Sequence, residues 1–236
     1  MSSLIVILSG LLLVSSGSPP LLQQPPVKQS PDVVEAYRVC QTFERLMGQD
    51  LDFAKAFEAT FVESKARRRA IAIADGEFGD LDFTKIDDES LIKAYKLRMQ
   101  LFYLLLPLSG PSDKEEPVFF PTEIKTILKR KPPADTLEFV AYVSQLERDV
   151  VRFRTHLDQL AASDPSIAER IRKFKAEALT ARIEPPIDHR VEPSLGEITS
   201  GVLAKNEAHY EINDYLIARE HGKMKIVGLR FFNRMF

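Results

Sequence analysis

Side-chain periodicity changes once along this chain of 236 residues, at the paired prolines Pro185 and Pro186. Upstream, apolar residues recur every three or four positions, the repeat of a helix that buries one face. Downstream they gather in short runs with polar neighbours, the repeat of a strand. The change constrains the fold more than any motif does, because a helix-period pattern cannot bury its apolar set as a strand. The expected class is α+β and mostly helical: five or six helices including an antiparallel helical hairpin, followed by a small C-terminal antiparallel sheet.

The cleanest helical signal is Phe139, Val143, Leu146, Val150, Phe153, Leu157 and Leu160, an a/d seam over three heptads. "SDPS" interrupts it. Ser163 or Asp164 is placed to cap a following helix, with Pro165 in its first turn. Ile167, Ile171, Phe174 and Ala178 then repeat the spacing, which makes the pair a helical hairpin. Such a seam packs either within one chain or between two copies, as a homodimer through the Phe139 to Leu160 helix. Further upstream, Asp32 caps a helix with Val33, Ala36, Tyr37, Cys40, Phe43 and Met47 on one face, which "GQD" breaks at Gly48. A second helix carries Phe53, Phe57 and Phe61 and continues to about Ala74. A third runs from Asp88 to Leu106, and a short one spans 122–131, stopped by Pro132 and Pro133.

After the prolines, residues 195–205 read as a strand weakened by Gly196 and Gly201. Residues 208–219 and 223–232 read as two strands folded back at "EHGK", where Gly222 supplies a left-handed turn position. Two strands are marginal alone in water, so the hairpin needs more strands or a helical platform. The domain reading is residues 32–236 as a single α-rich domain, with a helical insertion at about 75–183 and the C-terminal hairpin at 208–232.

The N-terminus reads as export. Leu4 to Val14 form an apolar run of signal-peptide length, followed by "SSGS", so residues 1–18 are the expected signal peptide. An uncleaved anchor and a mis-assigned start are the alternatives, since the first charged side chain is Lys28. Residues 19–31, rich in proline, read as an extended linker. The expected location is periplasmic or extracellular.

Composition narrows the chemistry. A formal net charge of −2 argues against nucleic acid as a partner. The one cysteine, Cys40, lies among Val39, Phe43 and Met47 and reads as a small core residue, so neither a disulfide within the chain nor a thiolate metal cluster is expected. His156, His189, His209 and His221 have no metal-ligand spacing, and the sequence carries no phosphate-binding loop or nucleophile elbow. No cofactor and no metal are expected. His209 and Asp214 fall on opposite faces of one predicted strand. The basic clusters "KARRR" (65–69), "KRK" (129–131) and "RIRKFK" (170–175) read as solvated helix faces, with peripheral contact to an anionic membrane surface as their sharper use. "DGEFGDLDFTKIDDE" (75–89) lacks calcium-loop spacing and reads as a solvated loop.

"VVEAYRVCQTFERLMGQDLDFAKAFEATFVES" resembles the opening of the nuclear-transport-factor-2-like superfamily, which includes ketosteroid-isomerase-like and SnoaL-like proteins. Gly48, Asp50, Leu51 and Phe53 match its Gly-Asp-hydrophobic break. "YEINDYLIAREHGKMKIVGLRFF" is similar to the last two strands of that family's cone-shaped sheet, with Met224 where Trp is usual. The likeness covers the two ends only. It implies a pocket with a carboxylate base and oxyanion donors, for which Tyr210, Asp214 and Tyr215 are the nearest candidates. The leading expectation is an exported binding or interaction protein without a catalytic motif, its partner an unknown protein or a small apolar ligand. The alternatives are a small-molecule enzyme or carrier with a cone-shaped pocket, and a helical oligomerisation module.

Overall fold

The computed structural model describes residues 29–76, 78–79, 81–108, 130–133, 135–180, 194–195 and 202–229. The expected signal peptide and most of the linker lie outside the described residues, as do the 122–131 helix save its last two positions, most of the 195–205 strand, and Phe231. Among the described residues, six α-helices lead into a C-terminal antiparallel sheet, and the architecture is α+β and mostly helical. The helices are α1 (Pro31–Asp50), α2 (Phe53–Thr60), α3 (Lys65–Asp75), α4 (Asp88–Leu105), α5 (Thr136–Ser163) and α6 (Pro165–Thr180). The strands are β1 (Ser194–Leu195), β2 (Ala208–Ile212), β3 (Tyr215–Glu220) and β4 (Lys223–Leu229), in spatial order β1-β2-β3-β4. Among the described residues, no helix is long and apolar enough to cross a membrane.

Asp32 does not cap α1: it lies inside the first turn, after Pro31, and Ser30 is the cap. Ser30, Asp52, Ser64, Asp87 and Asp135 each accept a hydrogen bond from a backbone N–H of the first turn. Asp164 breaks α5 from α6, accepting from the Ser166 N–H at 2.8 Å. The seam of α5 is buried within the chain, with Phe139, Leu146, Phe153 and Leu157 at most 3 % exposed, against α4 and α6. The apolar residues this helix leaves exposed are Leu137, Val140 and Val151, away from the seam.

Gly48 does not end α1. The helix continues to Asp50, and its left-handed cap is Leu51 (φ 48°), whose N–H donates to Met47 O at 2.7 Å. A non-glycine residue in that conformation costs about 1–2 kcal/mol. Arg154 of α5 offsets part of this by donating to Leu51 O at 3.1 Å. Glycine stands at 48 because α6 crosses there: a Cβ would lie 2.2 Å from Ala178 Cβ.

The second predicted helix is two. Phe61 leaves the helix to bridge Ile226 of β4 in parallel, Val62 N–H donates to Ile226 O at 3.3 Å, and Ser64 restarts the chain as α3. Phe43, Phe53, Phe57, Phe61, Tyr95 and Tyr103 then meet from α1, α2 and α4, with ring centroids 4.4–5.9 Å apart in the contacting pairs. Full burial of each ring contributes about 1.5–3 kcal/mol, so this cluster is the main cohesive element under the sheet.

The predicted 208–219 strand is itself a hairpin, turning at Asn213 (φ 53°) and Asp214 so that Ile212 pairs Tyr215. Asparagine tolerates the left-handed region, and Asn-Asp is a turn dipeptide that the flanking apolar residues masked. Asp214 is therefore on no strand, and the opposite-face reading of His209 and Asp214 does not hold. The second turn is as expected: His221 (φ 48°) and Gly222 (φ 82°) are both left-handed, the backbone of a two-residue type I′ hairpin.

The arginines of "KARRR" are not a solvated face. Arg67 pairs Glu207 through both carboxylate oxygens at 2.9 Å and donates to Val202 O. Arg68 donates to Val62 O and Glu58, and Arg69 to Phe83 O, Ile86 O and Asp88. Each ties α3 to a different stretch of chain. Arg130 of "KRK" likewise is not helical and pairs Asp149, which is 2 % exposed, at 2.5 Å. Three or four fixed donors on a planar group suit such scattered carbonyls and carboxylates better than any single ammonium.

The close crossing at Gly48 has a direct check. Gly48→Ala is expected to cost about 1–3 kcal/mol despite alanine's better helix propensity, read as a lower urea midpoint. Ala178→Gly in the same chain is expected to recover most of the loss. A Gly48→Ala chain as stable as the parent contradicts the close-contact explanation.

Candidate functional site

Two places gather polar side chains in a way that bears on function. The first lies under the sheet. Cross-strand pairs put Tyr210, Ile212, Tyr215 and Ile217 on one face, and α1 lies along it. Tyr210 donates to Asp32 at 3.4 Å, and Tyr215 donates to Glu44, twelve residues further along the same helix. Of the residues nominated from the sequence, Tyr210 and Tyr215 are thus separated along α1, and Asp214 sits in the turn beside Tyr215 rather than with Tyr210.

Tyr215 belongs to a larger group. Glu44, Tyr103, Tyr215 and Cys40 come together from α1, α4 and β3, and Asp75 at the end of α3 adjoins them through Tyr95 (3.5 Å) while accepting Leu229 N–H at 3.2 Å. Burial raises the Glu44 carboxyl, opposed by the Tyr215 hydroxyl that donates to it. Burial pushes Asp75 up to about 7 against its two donors. The hydroxyls of Tyr95, Tyr103 and Tyr215 are held well above their ordinary range, first by burial and then by neighbouring carboxylates or tyrosines. Burial, then Glu44, drives the Cys40 thiol up, which removes it as a nucleophile.

Chemically this is a set of carboxyls able to hold protons near neutral pH beside phenolic donors, the kind of pairing that acid–base sites use. The Tyr95 and Tyr215 hydroxyls donate inward, to carboxylates of the same chain, and Phe43 and Phe53 pack on Tyr103 at 5.9 and 5.5 Å. Its clearest role is to bind α1, α3 and α4 to the strands. Among the described residues, no three His, Cys, Asp or Glu side chains are grouped to hold a metal.

Glu44, Asp75, Tyr95 and Tyr103 were not nominated from the sequence. Glu44 had a signal, since it falls between Cys40 and Met47 at the spacing of the apolar stripe of α1. Asp75 had none: its partner Leu229 is 154 residues away.

The second place is an open groove of about 260 Å³ between α1, the end of α2 and β4. Val39, Ala59 and Met224 line its apolar part. Thr42 and Thr60 line it too, their hydroxyls donating to Arg38 O and Ala56 O at 2.8 Å, which leaves oxygen lone pairs as acceptors. Glu35 is committed to Met224 N–H (3.1 Å) and Arg219 (3.2 Å), and Lys225 to Glu63 (3.2 Å). Arg38 and Lys223 complete the lining, and neither makes an ion pair or side-chain hydrogen bond among the described residues. Two outward backbone groups of β4 are also taken, Met224 N–H by Glu35 and Ile226 O by Val62 N–H. The groove therefore offers side chains rather than an open strand edge.

Compared with protein-family models, curated proteins and solved structures, the chain matches none.

The elevated Asp75 carboxyl generates a pH prediction. Its folded-state value exceeds the unfolded one, so the stability it contributes is complete below about pH 4 and is lost as pH rises to about 7. Asp75→Asn keeps an acceptor for Leu229 N–H and cannot ionise. The variant is expected to gain on the parent progressively between those pH values, with no further gain above, in urea midpoints. A midpoint difference that stays constant across the range contradicts the assignment.

Proposed function

We propose that this protein is a non-catalytic binding protein, and that the groove between α1, α2 and β4 receives its partner. The observation that carries this reading is the pair of uncommitted cations, Arg38 and Lys223, beside an apolar lining in an open groove. Elsewhere the three arginines of α3 are spent on internal partners. A groove of this size is small for an enclosed ligand site and suits a few side chains of another molecule.

A second reading, a small-molecule enzyme or carrier in the manner of nuclear-transport-factor-2-like proteins, is favoured by the Glu44–Tyr215 and Asp75–Tyr95 pairs beneath the strands. On that reading Asp75 or Glu44 holds the proton, and Tyr103 or Tyr215 meets a substrate oxygen. Against it stands the packing of Phe43 and Phe53 against those tyrosines.

One titration separates the readings. Isotope-labelled protein is mixed with a library of small carboxylates, amines, apolar fragments and short peptides, and backbone amide shifts are followed. The binding reading expects shifts at Arg38, Thr42, Ala59 and Met224, abolished by Ala59→Arg, which fills the groove from an exposed position. Shifts centred on Glu44, Tyr103 and Tyr215 replace it with the second reading. A library that perturbs neither set overturns the binding proposal.

A further inference from the structure

The groove also specifies the chemistry of its occupant, on the reading that it is a binding site. We propose that it takes a short acidic segment of a partner protein, with an apolar side chain set against Val39, Ala59 and Met224. Charge is the first argument. Of the four charged side chains in the lining, Glu35 and Lys225 are each neutralised by a partner within 3.2 Å, and Arg38 and Lys223 are not. The surplus is positive. The two cations enter from different elements, Arg38 from α1 and Lys223 from the start of β4, so carboxylates on neighbouring residues of one segment can each find a partner.

The second argument is the state of the strand edge. An extended peptide ordinarily adds to an exposed edge through backbone hydrogen bonds, which reads no sequence by itself. Here Glu35 occupies the Met224 N–H and the Phe61–Val62 segment occupies Ile226 O, so that route is closed at both positions. Recognition falls to side chains, and the available ones are two cations, two hydroxyl acceptors and an apolar lining. The acceptors on Thr42 and Thr60 suit backbone N–H groups of the segment, which its acidic side chains cannot supply. Such a contact is mainly electrostatic at its rim and is expected to weaken with salt.

The test is fluorescence anisotropy with two labelled probes, acetyl-Glu-Asp-Leu-Glu-Asp-amide and its neutral counterpart acetyl-Gln-Asn-Leu-Gln-Asn-amide, against the full chain. The acidic probe is expected to bind about tenfold or more tighter than the neutral one. Arg38→Glu and Lys223→Glu are each expected to weaken the acidic probe about threefold or more. Both side chains are exposed, and the circular dichroism and urea midpoint of each variant confirm that it remains folded. The double charge reversal is expected to prefer a Lys-Arg-Leu-Lys-Arg probe. Equal binding of acidic and neutral probes, or reversals that change affinity less than threefold, overturns the inference. If the fragment and peptide library still maps to the groove while the acidic probe does not bind, the acidic occupant is wrong and the binding site stands. If neither occupies the groove, both fall.

Discussion

Everything in this fold depends on holding α1 lengthwise along the sheet, two elements that begin more than 160 residues apart in the chain. Apolar packing brings them together, but packing alone does not set their register, because an apolar face tolerates sliding. Polar contacts do. Tyr210 and Arg219 meet Asp32 at the first turn, Glu35 takes Met224 N–H and Arg219 one turn later, and Tyr215 meets Glu44 nearer the middle. Loss of one partner of the buried Tyr215–Glu44 pair leaves the other unsatisfied, at about 1–3 kcal/mol, while the Arg219 pairs are more than a third exposed and contribute less. The groove between α1 and β4 exists because this register is held.

A second set of polar contacts performs the same service for α3. Arg67, Arg68 and Arg69 are consecutive on a helix and so point in three directions about 100° apart. They reach, respectively, the segment before β2, the end of α2 and the entry to α4. Glu220 of β3 accepts the Glu63 and Ser64 N–H groups at the entry to α3 and lies 4.0 Å from Arg67. The run of basic residues that looks like a surface patch is therefore the hub of the helical layer. In the groove, the basic charge that remains available among the described residues is at Arg38 and Lys223, which is why the functional proposal rests there.

The tyrosines and carboxylates under the strands show how one arrangement carries two meanings. Desolvation raises a carboxyl whether it serves a fold or a reaction, and a phenol beside it donates in either case. What distinguishes the cases is whether a third molecule has room to reach the pair. Here aromatic rings stand on Tyr103 and Tyr215, and the Tyr215 hydroxyl donates to Glu44 of the same chain. The structural meaning is the stronger, and the groove on the outer side of α1 becomes the better place for a partner.

Local pattern carried much of this fold. The apolar repeats of α1, α4, α5 and α6, the cap at Asp164 and the turn at His221–Gly222 all follow from neighbours within a few residues, where geometry is set by the backbone itself. Where sequence reading failed, the deciding contact was mostly remote. Gly48 looked like a helix stop and is a helix crossing, because Ala178 occupies the space of its side chain. Phe61 looked like helix and pairs with Ile226. One miss was local: Asn213–Asp214 is a turn dipeptide between apolar residues that read as one strand. Arg69, Arg130 and Asp75 looked like solvated charge and are bound to partners 14 to 154 residues away. By itself the sequence determined most of the described helices, that strands follow them, and the class of the fold, since periodicity is a property of adjacent residues. Only the tertiary structure decided which charges are spent and which remain free, because an ion's partner is chosen by position in space, and that choice locates the groove.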